Sequence, residues 1–517
     1  MVSKSVICLL CFTISWTESA RILAMFPTPS ISHQVVFRPL TQELARRGHE
    51  VIVITPDPTF PKGQTPQNFT EIDLHDISYS KFKKLMGRLK DVTRDVIEQV
   101  KVIIESNNAI FEEQMRTESV QEILKYKEDY FDLILVEACV RPTIGLSYVF
   151  KAPVIQVSSF GAVMDNHDIM GSPTHPILYP SMVRDRLYNL TLWDKLTQLR
   201  KEFVSAMYTI NREVDNEVLK RVFGKNIPPI DKLYDNVAML FLNFHPIWDS
   251  NRPVPPGVIY MGGLHQNPQK ELPKDLKSYL DTSKNGVLYF SLGTNVGPSD
   301  IPSEKLKVII KVFSQLPYDV LWKWDNDELP GRSSNIKISK WLPQSDLLRH
   351  PNIKLFITQG GLQSTDEAIT AGVPVIGIPM LGDQWFNAEK YVHFKIGLKL
   401  DINTLTEEQL HDAIKSVLKD NSYRKNIVRL RSIMSDQPQS PLERAVWWTE
   451  HVLRHGGARH LRSPAANISI TQYLELELVF VVFSVFLLSA FVLVVVTKTI
   501  WNILNVKLPT VIKIKKF

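Results

Sequence analysis

Apolar runs alternate with amphipathic stretches through the first half of the chain. Short apolar runs predict buried strands, and stretches with apolar positions three or four residues apart predict helices. The predicted strands are 22–26, 51–54, 131–136 and 154–157, and the predicted helices are 34–47, 81–126 and 192–224. Because parallel strands need crossover connections, residues 21–250 are predicted to form an α/β domain with helical additions.

A second α/β series follows a change in composition. Residues 251–285 are rich in proline and glycine, which is typical of a domain linker. Towards the C-terminus, residues 441–477 are predicted to form a helical return and juxtamembrane segment. The strands predicted between them are 287–291, 320–322, 355–358, 375–378 and 398–400. The chain is therefore predicted to form two Rossmann-like, doubly wound domains, 21–250 and 286–440, which face a ligand-binding cleft at the carboxyl ends of their strands.

The two ends of the chain predict a membrane topology. Residues 1–20 combine Lys4, a short apolar run and a small-residue site that ends at Ala20, which is typical of a cleaved signal peptide. Residues 478–497 are uncharged and apolar, and a transmembrane helix needs about 20 such residues. The tail 498–517 carries lysines and no acidic residue, so we expect it to be cytosolic and the body of the chain to be lumenal, in a type I orientation.

Further features favour the endoplasmic reticulum as the compartment. Lys513 and Lys515 resemble the dilysine signal that returns membrane proteins to it. Without the signal peptide, Cys139 is the one remaining thiol, so no intramolecular disulfide is expected. N-glycans are expected only on segments that face the lumen. The predicted acceptors are Asn68, Asn189 and Asn467, each in an Asn-x-Ser/Thr sequon.

The overall charge excludes one class of partner. The 517 residues include 60 Lys+Arg and 54 Asp+Glu, for a net charge of +6, and these charges are evenly spread. A nucleic-acid-binding surface requires a concentration of basic residues. We therefore expect no nucleic-acid partner, and both homo-oligomers and hetero-oligomers remain open.

A pair of glycines is the first sign of a chemical site. The strand predicted to end at Thr358 leads into Gly360 and Gly361 and then into a helix. Glycines at a helix N-terminus leave backbone amides accessible to an anion such as a diphosphate.

Side chains on both sides of these glycines are suited to the rest of a nucleotide sugar. Trp341 can stack on a nucleobase, and Glu367, about two turns into the helix, can accept hydrogen bonds from ribose hydroxyls. Asp383 and Gln384, at the next strand-to-helix turn, can bind sugar hydroxyls.

Residues 341–384 resemble the signature of the UDP-glycosyltransferase family, which includes the glucuronosyltransferases. Similar motifs occur at 21–33, 47–51, 262–265, 290–294 and 441–445, so the resemblance covers nearly the whole chain. It implies a GT-B fold, an acceptor-binding first domain and a donor-binding second domain. The implied reaction is inverting transfer of a sugar from a UDP-sugar to a hydroxyl of a small lipophilic acceptor, for conjugation or detoxification of xenobiotics and endogenous metabolites.

The resemblance also assigns donor-binding roles by position. Trp341 would stack on uracil, Gln344 would contact the nucleoside, and Glu367 would bind the ribose. Asp383 and Gln384 would bind the sugar. The remaining donor-binding positions lie in the two loops implied to line the diphosphate and at the start of the following helix. They are Ser291, Gly293, Thr294, Gln359, Gly360, Gly361 and Ser364.

The chain departs from the family pattern at two of these functional positions. His33 matches the family's general base, but the carboxylate that orients it is Glu137 here rather than aspartate. Most members have histidine before the glycine pair, whereas this chain has Gln359, which can donate a hydrogen bond to phosphate but cannot carry charge. The Gln-Gly-Gly-Leu-Gln-Ser sequence resembles the insect variant, which favours UDP-glucose as the donor.

Two other functions are alternatives to the transferase. A nucleotide-dependent oxidoreductase would need Gly-x-Gly-x-x-Gly after the first strand, and this chain has none there. The departures at Gln359 and Glu137 leave open a catalytically silent family member that binds lipophilic ligands or a partner transferase. No metal site is expected, because no Asp-x-Asp arrangement can be placed at the diphosphate, and the UDP-sugar is a co-substrate, so no cofactor is expected either.

Overall fold

Two parallel β-sheets organise the chain. The computed structural model describes residues 19–91, 96–294, 297 and 301–506. Most of the predicted signal peptide (1–18) and the end of the predicted cytosolic tail (507–517, with Lys513 and Lys515) lie outside the described residues. The strands are β1 (Arg21–Met25), β2 (Glu50–Thr55), β3 (Phe69–Asp73), β4 (Leu133–Glu137), β5 (Val154–Ser158), β6 (Val237–Leu242), β7 (Val258–Tyr260), β8 (Val287–Ser291), β9 (Asp319–Lys323), β10 (Ile336–Ser339), β11 (Ile353–Thr358), β12 (Val375–Gly377) and β13 (Gly397–Lys399).

The sheets have the topology of two doubly wound domains. The first has seven strands in the order β3-β2-β1-β4-β5-β6-β7, and the second has six in the order β10-β9-β8-β11-β12-β13. All strand pairs are parallel. The central strands β4, β5 and β8 are buried along their whole length, as expected where helices cover both faces of a sheet.

Helices connect and cover the strands. In the first half of the chain they are α1 (Ile31–Arg46), α2 (His75–Asp91), α3 (Val96–Met115), α4 (Glu118–Leu124), α5 (Leu146–Phe150), α6 (Asn166–Met170), α7 (Leu192–Ile210), α8 (Glu213–Phe223) and α9 (Ile230–Leu233). Those of the second half are α10 (Lys274–Thr282), α11 (Ser303–Ser314), α12 (Gln344–Leu348), α13 (Leu362–Ala371), α14 (Gln384–His393), α15 (Glu407–Lys419), α16 (Asn421–Ser435), α17 (Pro441–Arg454), α18 (Ile470–Tyr473) and α19 (Leu476–Val506).

The predicted elements differ from the observed ones mainly at sheet edges and in long helical stretches. The edge strands β3 and β10 were not predicted, because they are partly exposed and lack a continuous apolar run. The proline-rich range 251–285, predicted as a linker, contains β7 and α10, so the first sheet extends to Tyr260. The single helical stretches 81–126 and 192–224 are divided into α2 to α4 and into α7 and α8.

The C-terminal part of the chain returns to the first domain before a long apolar helix. Helix α17 contacts α1, and Glu450 of α17 forms an ion pair with Arg47 at 3.2 Å. Further on, the backbone N–H of Asn467 donates to the carbonyl of Asp168 at 2.9 Å. Helix α19 follows, and it is the one helix in the described part of the chain that is long and apolar enough to cross a membrane.

Candidate active site

The candidate site lies where strand order reverses in each sheet. In the first sheet this point is between β1 and β4, and in the second it is between β8 and β11. Ligands of doubly wound sheets bind at such points, beyond the carboxyl ends of the strands. His33 is in the first turn of α1, which follows β1, and Glu137 is the last residue of β4. The fold therefore brings together two residues that are far apart in sequence.

His33 and Glu137 form a short hydrogen bond. His33 Nδ1 lies 2.6 Å from Glu137 Oε1, and the Glu137 side chain is fully buried. The backbone N–H of Thr28 donates to Glu137 Oε2 at 3.0 Å, and the Cys139 thiol donates to Oε1 at 3.3 Å. With Nδ1 bound to the carboxylate, Nε2 is the imidazole nitrogen that remains for a substrate proton. The longer glutamate thus makes the contact that was expected of an aspartate.

The imidazole is also fixed from its other side. The ring of Phe160 meets His33 edge-on, with centroids 5.2 Å apart and planes at 88°. Such T-shaped contacts are favourable for aromatic rings and restrict rotation about the side-chain bonds. The orientation of His33 is therefore set by a carboxylate and by an aromatic wall.

His33, Glu137 and Cys139 also bring three atoms of metal-ligand type within 4.8 Å of one another. Burial raises the pKa of the Cys139 thiol well above its ordinary value, so the sulfur stays protonated. Both oxygens of Glu137 already accept hydrogen bonds. This arrangement suits a hydrogen-bonded chain that ends at His33 better than it suits a metal ion, which requires a deprotonated sulfur.

The glycine turns of the second sheet face each other. Ser291 ends β8 and is the register partner of Thr358, which ends β11. Gly293 and Gly360 have φ values of +78° and +90°, which favour glycine. The Gln359 carboxamide occupies the space beside Gly293, where a Cβ would overlap it.

These two turns carry groups that can bind a phosphate. The hydroxyl of Ser291 accepts from the Gly293 backbone N–H at 3.3 Å, and Thr294 next to it is exposed. Gly361 is the N-cap residue of α13, so this helix begins with its positive dipole end at the turn. The buried Oε1 of Gln359 has no hydrogen-bond partner among the described residues.

Asp383 joins the starts of two helices. Its Oδ2 accepts from the backbone N–H of Leu362 at 3.1 Å and from the Asn387 carboxamide at 2.7 Å. Burial raises the pKa of Asp383 to about 6, because charge is disfavoured away from water. The neighbouring Gln384 turns its Oε1 toward two backbone amides of its own loop, both at 2.7 Å.

The predicted nucleoside residues form a second group. Gln344 donates to Glu367 at 2.7 Å and to Ser364 at 2.9 Å, and the Tyr289 hydroxyl donates to Gln344 Oε1 at 3.0 Å. Burial raises the pKa of Glu367 to about 7. Trp341, in the loop between β10 and α12, is 65% exposed, so its indole is open to solvent.

A large cavity connects the His33–Glu137 pair with the second domain. It has a volume of about 750 Å³ and is lined by His33 and Phe160 of the first domain and by Asp383 and Gln384 of the second. A volume of this order holds a drug-sized molecule. The cavity thus provides room for a small acceptor between His33 and the residues predicted to bind the donor sugar.

Direct hydrogen bonds hold the two domains in this arrangement. The Gln363 side chain donates to the Ser159 carbonyl at 2.9 Å, and the Trp248 indole donates to Asn387 at 2.8 Å. The backbone N–H of Gly382 donates to Gln99 at 3.3 Å.

Sequence reasoning predicted the candidate side chains but not their hydrogen-bond partners. Thr28, Cys139, Tyr289 and Asn387 were given no role, although each contacts a predicted site residue. Asn387 lies within the motif that contains Asp383, so its position was a usable signal. No local pattern indicates Thr28 or Tyr289, because their partners are distant in sequence, whereas Cys139 lies two residues from Glu137.

Comparison with known proteins agrees with this geometry. Residues 21–509 match the family model described as UDP-glucoronosyl and UDP-glucosyl transferase. An ecdysteroid UDP-glucosyltransferase of Spodoptera littoralis nuclear polyhedrosis virus is 39% identical over 486 residues, covering 90% of this chain and 94% of that protein. UDP-glucosyltransferase 2 of Dactylopius coccus is 31% identical and covers 90% of both chains.

Solved structures show the same fold at lower sequence identity. The glycosyltransferase SnogD from Streptomyces nogalater has a TM-score of 0.56 and 16% identity, covering 85% of this chain and 100% of its own. The glycosyltransferase VinC, in complex with DTDP, has a TM-score of 0.57 and 15% identity, covering 84% and 100%. The predicted GT-B fold is confirmed. Together with the family match over nearly its whole length, this means that the chain belongs to the UDP-glycosyltransferase family and is a UDP-sugar-dependent glycosyltransferase.

Proposed function

We propose that the enzyme transfers glucose from UDP-glucose, with inversion at the anomeric carbon, to a hydroxyl of a lipophilic small molecule. The observation that carries this proposal is the His33–Glu137 hydrogen bond of 2.6 Å at the wall of a cavity that reaches Asp383. The proposed base and the predicted sugar ligand thereby line one cavity that can hold the acceptor.

His33 acts as the general base. Its Nε2 takes the proton of the acceptor hydroxyl as the oxygen attacks the anomeric carbon, and the bond from that carbon to the UDP oxygen breaks. Glu137 holds the proton on Nδ1 and stabilises the imidazolium that forms. Attack from the side opposite to UDP inverts the configuration of the anomeric carbon.

The second domain binds the donor. Trp341 stacks on uracil, and Glu367, held by Gln344, accepts from the ribose hydroxyls. Ser291, the glycine turns and the start of α13 receive the diphosphate. Asp383 and Gln384 bind the sugar hydroxyls. The charge of the departing UDP is balanced by the helix dipole and by hydrogen-bond donors.

The acceptor is a lipophilic alcohol of steroid size. The cavity is large, and the viral relatives named as ecdysteroid UDP-glucosyltransferases support both glucose as the sugar and a polycyclic alcohol as the acceptor. Conjugation of such molecules makes them more water-soluble, which agrees with a role in detoxification or hormone inactivation.

Helix α19 anchors the enzyme in the membrane of the endoplasmic reticulum. The helix is apolar and wholly exposed, as a helix surrounded by lipid is. The lysine-rich tail after it supports a type I orientation with the two sheets in the lumen.

Product formation by the purified full-length chain tests the proposed reaction. The enzyme is incubated with a panel of phenols and sterols and with UDP-glucose or UDP-glucuronic acid, and the conjugates are identified by mass spectrometry. We expect β-glucosides from UDP-glucose, lost in His33→Ala and retained in His411→Ala, which changes an exposed histidine of the second domain. UDP binding without a conjugate from either donor would favour the silent family member instead.

A further inference from the structure

The orientation of α7 is unusual for a helix on a water-exposed surface. Its apolar residues recur three or four positions apart and form one stripe, as in an amphipathic helix. This stripe faces outward rather than into the protein. The residues of the stripe are Leu192, Leu196, Leu199, Phe203 and Met207, with Trp193 beside them, and all six are exposed.

The opposite face of α7 is polar and is bound to the protein. Gln198 is buried and donates to Asp185 at 3.2 Å, and Lys201 pairs with the same carboxylate at 2.8 Å. The Thr191 and Asp194 side chains form a capping box that fixes the start of the helix. The outward direction of the stripe is therefore set by specific contacts.

Basic residues border the stripe. Lys195 and Arg200 are exposed and lie on opposite sides of the stripe. At a rotation of 100° per residue about the helix axis, they are about 80° and 60° from the centre of the stripe. An apolar face bordered by Lys and Arg is typical of a helix that lies in a membrane interface, where the basic groups reach the lipid phosphates.

The anchor begins close to this stripe. Asn467 is bound to Asp168, and both Asp168 and Ile470 line the acceptor cavity together with Leu199 and Phe203 of α7. Only a few residues separate Ile470 from the start of α19, and the residues between them include the exposed Tyr473 and Leu474. The stripe, the cavity mouth and the start of the proposed membrane span are thus neighbours.

From these observations we infer that α7 lies in the lipid surface next to the anchor and that acceptors enter the cavity laterally from the bilayer, between α7 and Ile470. This inference deepens the proposed function and rests on its membrane anchor. Apolar acceptors concentrate in the bilayer, so an entrance there gives the enzyme a higher local substrate concentration than an entrance from water. It also explains why Leu199 and Phe203 are exposed at the mouth rather than covered by protein.

The position of α7 is tested by tryptophan quenching in full-length enzyme reconstituted into phosphatidylcholine vesicles with brominated acyl chains. Trp193 is 76% exposed in the protein. Its contribution to the fluorescence is the difference in signal between wild type and Trp193→Phe. Trp501, in α19, reports the anchor through Trp501→Phe. We expect bromines near the headgroups to quench Trp193 and soluble acrylamide to quench it weakly. Quenching of Trp501 without quenching of Trp193 would overturn the inference and leave the anchor intact.

The entrance is tested by kinetics in the same vesicles with 4-nonylphenol and with phenol. Leu196→Glu should raise the apparent KM for membrane-partitioned 4-nonylphenol about tenfold, because one buried leucine side chain contributes about that factor to lipid binding. The KM for phenol and for UDP-glucose should change by less than about twofold.

A matched control separates this effect from a general effect of surface charge. Ile433→Glu makes the same kind of change on α16 of the second domain, where Ile433 is 48% exposed against 51% for Leu196. Equal KM values for 4-nonylphenol in the two variants would overturn lateral entry. Absence of conjugation in wild type would contradict the proposed function instead, and Trp193 quenching would still decide where α7 lies.

Discussion

The charge of Glu137 is the feature of the catalytic pair that is most directly testable. Three donors converge on its carboxylate, namely the Thr28 N–H on Oε2 and the His33 imidazole and Cys139 thiol on Oε1. Glu137→Gln preserves the size of the side chain but replaces one acceptor with an NH2 donor. Either Thr28, or both His33 and Cys139, must then face a donor.

The contacts decide which partner changes. If the amide oxygen faced His33, the NH2 group would face the Thr28 N–H in a buried site, and such an unmatched donor costs about 1–3 kcal/mol. If the oxygen faces Thr28, the NH2 group faces His33 and Cys139. The Cys139 sulfur can accept a weak hydrogen bond, and His33 can carry its proton on Nε2 instead of Nδ1. The second arrangement is therefore favoured, and in it His33 cannot accept the substrate proton.

The expected loss of rate follows from these two effects. A hydrogen bond to a charged group contributes about 1.5–3 kcal/mol, or roughly a 10- to 150-fold change in rate. The wrong tautomer of His33 lowers the rate further. In catalytic triads the corresponding amide substitution lowers kcat by about 10⁴-fold. We expect Glu137→Gln to lower kcat by about 10³- to 10⁴-fold. Glu137→Asp keeps the charge and should lose roughly tenfold, because its shorter side chain lengthens the 2.6 Å contact.

Initial rates of UDP release with a saturating phenol measure kcat, and calorimetric titration measures UDP affinity. UDP affinity should be unchanged in both variants, because Glu137 ends a strand of the first sheet and the donor residues belong to the second. A kcat for Glu137→Gln within about tenfold of wild type would refute the role of the charge. A parallel loss of UDP affinity would show that the substitution had disturbed the domains.

Three further expectations concern the donor side. Trp341→Ala should weaken UDP binding by about 1–3 kcal/mol in calorimetry, whereas Trp341→Phe should retain most of the affinity, since base stacking needs an aromatic face. Glu367 is protonated below its raised pKa of about 7, and ribose hydroxyls bind better to the carboxylate, so the affinity for UDP-glucose, whose phosphates do not titrate in this range, should rise as pH increases from about 6 to about 8, with proton release on binding. Both effects should disappear in Glu367→Gln, and a pH-independent wild type would contradict this. Gly293→Ala should lower the free energy of unfolding by about 1–2 kcal/mol in urea titration and weaken UDP-glucose binding, because its φ is +78° and its Cβ would displace Gln359.

The parts of the fold that the sequence predicted are those with strong local patterns. Strand β8 was predicted at its observed bounds because an apolar run from Val287 to Phe290 leads to Ser291 and sits between two turns. The six apolar residues of β6 were missed, since Ala, Met and Leu are as common in buried helices as in strands. Long helical stretches were predicted without their breaks, which depend on packing.

The site residues were predicted from position after strands and from family resemblance, but their hydrogen bonds were not. Gln344 was expected to contact the nucleoside, and in the structure its amide donates to Glu367. That bond depends on how α12 packs against α13, which no local pattern specifies. The direction of α7 was unpredictable for the same reason: amphipathicity indicates that an apolar face must be covered, but it does not say whether protein or lipid covers it.

The most consequential residue that sequence reasoning left without a role is Asn387. Its Nδ2 donates to Asp383 and to the carbonyl of Gly360, at 2.7 and 2.8 Å, and its Oδ1 accepts from the Trp248 indole at 2.8 Å. One buried carboxamide therefore joins the proposed sugar ligand, the glycine turn and the first domain. Because all these partners are buried, a shift of one domain against the other would leave polar groups unpaired, which is costly. The domain interface and the proposed sugar site are in this way parts of the same hydrogen-bond network, so the Trp248–Asn387 bond helps to set the position of Asp383 relative to His33.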